Sequence, residues 1–66
     1  MEETTRTLRE LIAWGETQSD EGIKERIKTL ASNLRRLNEN PGGMALKTQT
    51  LKNIEEFESY RALLRN

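Results

Sequence analysis

The stretch Ile23-Lys24-Glu25-Arg26-Ile27-Lys28-Thr29-Leu30-Ala31-Ser32-Asn33-Leu34-Arg35-Arg36-Leu37-Asn38 decides the fold. Ile23, Ile27, Leu30, Leu34 and Leu37 are spaced four, three, four and three residues apart. At roughly 100° per residue they fall, with Ala31, on one stripe of a helix, and Lys, Arg, Glu, Ser and Asn occupy the remainder. A helix with one apolar stripe must bury it. The seam serves either as the chain's own core or as a contact with a second subunit or a partner helix.

Working outward, Ser19-Asp20-Glu21-Gly22 reads as a break and restart. Ser19 or Asp20 can cap the helix and Glu21 suits its first turn. On the other side, Asn38-Glu39-Asn40-Pro41-Gly42-Gly43 is a strong stop. Proline lacks an N–H and pushes Asn40 away from helical angles, and the two glycines are free to take left-handed ones. A connection of about four to six residues usually joins antiparallel neighbours.

A first helix is expected from Thr4 or Thr5, either of which can cap it, to about Gln18. Glu2 and Glu3 complement the positive end of its dipole. Leu8, Leu11, Ile12 and Gly15 form its stripe, and Trp14 sits beside the stripe, turned outward. Gly15 costs helix stability unless another helix must approach closely there. A third helix is expected from Met44 or Ala45 to Leu64. Leu46, Ile54, Phe57, Tyr60 and Leu64 share a broad face, Leu51, Met44 and Ala62 lie to one side of it, and Leu63 lies to the other. Apolar surface that wraps this far implies more than one neighbour.

These readings give an all-α fold in one domain, residues 1–66. The second and third helices form an antiparallel hairpin, the first packs across them, and the whole associates into a dimer or higher oligomer. Composition agrees, since Val is absent and Leu, Glu, Lys and Arg are plentiful. A chain of 66 residues without cysteine has no disulfide to supplement a small core.

Composition also bounds function. The absence of His and Cys removes the usual zinc and iron–sulfur ligands, the neutral-pH general base and the thiol nucleophile. No phosphate-binding glycine motif occurs. Glu55, Glu56 and Glu58 stand close together with Lys52 and Arg61 in reach, a pattern that reads as a solvated charged face. No enzyme activity, cofactor or metal is expected. Eleven basic residues balance eleven acidic ones, unlike a nonspecific nucleic-acid coat. The start Met1-Glu2-Glu3-Thr4-Thr5 has no signal-peptide character, and no apolar run is long enough to span a membrane. A cytoplasmic protein is expected.

The leading functional expectation is a small regulator or inhibitor that binds a protein partner through Trp14, Met44, Phe57 and Tyr60. Trp14 is the residue type most enriched at binding hot spots, although it equally suits the edge of a core. The alternative is a nucleotide- or nucleic-acid-binding protein that uses Lys24, Lys28 and Arg35 along one side of the second helix, with Lys47 and Lys52 in support. Aromatics interleaved with those basic positions, which would strengthen that alternative, are missing.

Residues 21–66 also resemble phage-encoded helical-hairpin anti-defence proteins that sequester cyclic-nucleotide signals. The likeness runs through Arg26, Leu30, Ala31, Leu34 and Leu37 in the first arm, and Leu51, Phe57 and Ala62 in the second. It implies a phage or mobile-element accessory protein. The second arm departs from that family in having only Phe57 and Tyr60 as aromatics.

Overall fold

A computed structural model describes residues 2–65. It contains three helices, α1 (Glu2–Gly15), α2 (Glu21–Glu39) and α3 (Met44–Arg65), and no strand among the described residues. The particle measures 37 × 18 × 17 Å. α2 is the shared element, packing against α1 and against α3.

Each helix supplies a stripe. Thr4, Leu8, Leu11 and Gly15 of α1 are buried at the four–three–four spacing of one helix face. Ile23, Ile27, Leu30 and Leu37 of α2 are buried between the neighbouring helices, with Leu34 half-buried. Ile54 and Phe57 complete the core from α3, and Ile12, Trp14, Leu46 and Tyr60 pack around its edge. Ala31 lies outside this core. The buried stripe runs through Asn33 instead, which is three residues after Leu30 and four before Leu37, so the centre of the face is turned away from Ala31.

Two buried polar side chains find partners, one across the α2–α3 contact and one within α3. The Asn33 amide donates to Asn53 Oδ1 on α3 at 2.8 Å. Thr50, four residues from both Leu46 and Ile54 and fully buried, donates its hydroxyl to the Leu46 carbonyl at 2.8 Å. Among the described residues no buried side-chain nitrogen or oxygen lacks a partner, as a dry interface requires.

The connections follow local chemistry. α1 ends at Gly15, earlier than Gln18, and the chain turns through bonds from the Thr17 and Gln18 amides to the Trp14 and Gly15 carbonyls, each 3.1 Å. Thr4 and Thr5 are inside α1 and do not cap it, because the chain is already helical at Glu2. The dipole role expected of Glu2 lies outside the described side chains. Asp20 caps α2, its Oδ1 accepting from the Ile23 amide at 2.9 Å. At the other end Asn40 leaves helical angles ahead of Pro41, with φ −142° and ψ 68°. Gly42 and Gly43 do not adopt left-handed angles. The Gly43 carbonyl accepts from the Lys47 amide at 2.9 Å and so starts α3.

Gly15 and Gly22 are needed for room. A Cβ at Gly15 would collide with the buried Ile27 side chain, and one at Gly22 with the Tyr60 hydroxyl. The loss of helix propensity at these positions is offset by close packing.

Truncating Leu30 tests the dependence on α2. Leu30→Ala removes a side chain in the centre of the core and is expected to cost about 2–5 kcal/mol. A domain this small has roughly 3–5 kcal/mol to lose. Urea titration followed by far-ultraviolet circular dichroism should therefore find this variant largely unfolded at room temperature.

Candidate functional site

Three features concentrate chemistry, and they occupy different parts of the molecule. The first joins the end of α1, the start of α2 and the last turns of α3. Tyr60 donates its hydroxyl to Asp20 Oδ1 at 2.9 Å, the same oxygen that caps α2. Arg26 lies over the Tyr60 ring, 3.9 Å from its centroid, and donates to the Gly22 carbonyl at 3.1 Å. Beside it the Trp14 ring meets Phe57 edge-to-face, centroids 6.1 Å apart, and Arg61 sits 5.0 Å from the Trp14 centroid. Both cation–π contacts fix long basic side chains over aromatic faces.

The Asp20–Tyr60 bond perturbs both groups. The Ile23 amide, then the Tyr60 hydroxyl, hold the Asp20 carboxyl below its ordinary value of 3.8. The bond to Asp20, with burial, holds the Tyr60 phenol above its ordinary value of 10.0, against a smaller opposing effect from Arg26.

The second feature is a shallow groove of about 480 Å³ between α2 and α3, lined by Lys28, Thr29, Ser32, Asn33, Arg36, Gln49 and Asn53. It is a polar surface with two cations, two hydroxyls and three amides. Its floor includes the Asn33–Asn53 bond.

The third is exposed apolar surface on α3. Met44 is 73% and Leu51 47% exposed, and at the opposite end of the helix Leu63 is 70% and Leu64 48% exposed.

The residues singled out from the sequence separate accordingly. Trp14 is half-buried against Phe57 and does not turn outward, because α3 supplies a ring for it to pack on. Phe57 is a core residue, 1% exposed, and its ring is out of reach of a partner in this fold. Tyr60 is half-buried and committed to Asp20. Met44 is freely accessible at the start of α3. Lys24, Lys28 and Arg35 are exposed, but Lys24 faces Glu21 and Lys28 faces Glu25, each at 3.9 Å. Of these three only Lys28 reaches the groove, where its companion cation is Arg36. Membership of Arg36 in the groove depends on where α3 lies, which local sequence does not state. No group of three or more potential metal ligands is present among the described residues, and no described helix is long and apolar enough to cross a membrane.

The paired shifts predict two limbs in stability against pH. Stabilisation from Asp20 is complete above its ordinary value and is lost as pH falls through the lower, folded value. Stabilisation from Tyr60 is complete below its ordinary value and is lost as pH rises through the higher, folded one. Thermal melts of wild type and Tyr60→Phe should differ by a constant amount at neutral pH. The difference should shrink at both extremes, below about pH 3.8 and above about pH 10. A difference unchanged across this range would show that the Asp20–Tyr60 bond contributes nothing.

Compared with family models, curated proteins and solved structures, the chain has no match among them.

Proposed function

We propose that the chain is a small non-enzymatic regulator or inhibitor that works by binding a protein. The observation that carries this reading is the exposure of Leu63 and Leu64 in the turn after Tyr60 and Arg61, at the end of the molecule where Trp14 is half-buried. Two large exposed apolar side chains close in sequence to Arg61 and Tyr60 supply apolar area with a polar handle, which favours protein contacts. The bundle beneath would present it rigidly. An antiparallel α2–α3 hairpin with α1 across it is supported by contacts that pair Asp20 with Tyr60 and Asn33 with Asn53, so that numbers rise in one helix as they fall in the other. The reading includes association of the chain with itself. A phage anti-defence role belongs to it as the resemblance of residues 21–66 implies.

Affinity capture with the folded chain as bait tests the patch. A specific partner should be retained by wild type and weakened at least about tenfold, or about 1.4 kcal/mol, by Leu63→Lys with Leu64→Lys. Helical circular dichroism should be unchanged, because both positions are exposed. Capture indifferent to this pair, or no capture at all, overturns the assignment.

A second reading is favoured by the α2–α3 groove. Lys28 and Arg36, with Thr29, Ser32 and the amides of Asn33, Gln49 and Asn53, form a set of donors suited to a phosphate-bearing ligand such as a cyclic dinucleotide. Isothermal titration with cyclic dinucleotides and short DNA should give heat that is abolished by Lys28→Glu with Arg36→Glu. Heat that survives those changes, or no heat with wild type, rejects this second reading.

A further inference from the structure

The outer face of α3 carries charges and apolar groups in an order that fits its own copy. Met44, Leu51 and Glu58 recur every seven residues, as do Thr48, Glu55 and Ala62, and all six are exposed. This is the period of a helix–helix seam. It faces away from α2, since the residues of α3 that meet the core are Leu46, Thr50, Ile54 and Phe57. Lys47 and Lys52 flank the first half of the seam, and Glu55 and Glu58 occupy the second half. Among the described residues the ion pairs are Glu21–Lys24 and Glu25–Lys28 on α2, so these four charges on α3 are uncommitted within the chain.

We propose that α3 pairs with α3 of a second copy, antiparallel, about a two-fold axis on the outer face at the level of residue 53. This rests on the reading that the chain associates with itself and names the surface. An antiparallel arrangement brings Lys47 and Lys52 of one copy to Glu58 and Glu55 of the other, and the symmetry repeats the match. It also sets Met44 beside Ala62 of the second copy, and covers Leu51 with the stem of a long side chain. A parallel arrangement would oppose lysine to lysine and glutamate to glutamate, so the charge order selects the direction. The seam is short and part-polar, so the pairing is concentration-dependent.

Light scattering and sedimentation of the full chain across a concentration series test this, with circular dichroism confirming the helices. Wild type should approach two chains per particle as concentration rises. Lys47→Glu with Lys52→Glu, and separately Glu55→Lys with Glu58→Lys, should each return one chain per particle. Mixing those two variants should restore the dimer, because every opposed pair is then of opposite sign. The native chain has no cysteine, so Met44→Cys mixed with Ala62→Cys should form a mixed disulfide dimer on mild oxidation in preference to either like pair. One chain per particle up to about 1 mM, where even a millimolar dissociation constant would register, overturns the pairing and the self-association reading together. A dimer insensitive to both charge reversals, or crosslinking in like pairs, overturns this surface and leaves self-association through another face.

Discussion

Leu8, Leu30 and Phe57 come from three different helices, and all three are buried in one core cluster. The centre of this molecule therefore exists only when all three helices are in place. Isolated helices of this length are marginal in water, and this chain has no disulfide to supplement the packing. α2 bears the consequence. It is the element that packs against both of the others, so its stripe must be wide enough for two partners while its back remains polar.

Polar groups set the details that greasy contact leaves free. An apolar stripe tolerates sliding, whereas the Asn33–Asn53 bond at the α2–α3 contact and the Asp20–Tyr60 bond at one end fix register at two points. A slip of one residue would leave a buried amide without its partner, at a cost comparable to a core contact. The same Asp20 oxygen caps a helix and anchors a residue 40 positions away in the chain. Local capping and tertiary closure are thus one event. Gly22 is part of it, because only a residue without a side chain admits the Tyr60 hydroxyl there.

With both arginine-covered rings held in place, the remaining surface divides by chemistry. The end of α3 offers Leu63 and Leu64, the α2–α3 junction offers Lys28 and Arg36 around amides, and the outside of α3 offers a seam with lysines in its first half and glutamates in its second.

The sequence by itself determined three helices and their order, breaks around residues 19–22 and 38–43, a cap at Ser19 or Asp20 and most of the core, whereas both ends of α1 fall elsewhere, at Glu2 and Gly15. Those features depend on short-range periodicity, on proline and glycine, and on a carboxylate three residues before an amide, all of which are local. It also misplaced what is not local. Ala31 lies outside the core and Asn33 inside it, since the centre of a stripe is set by where the neighbouring helices press and not by hydropathy alone. Phe57 and Trp14 became each other's contacts, and the α2–α3 groove is lined by Lys28 and Arg36, with Lys24 and Arg35 outside it. Tertiary structure decided these because a side chain on a helix has a direction in advance, but acquires a neighbour only when a second helix arrives.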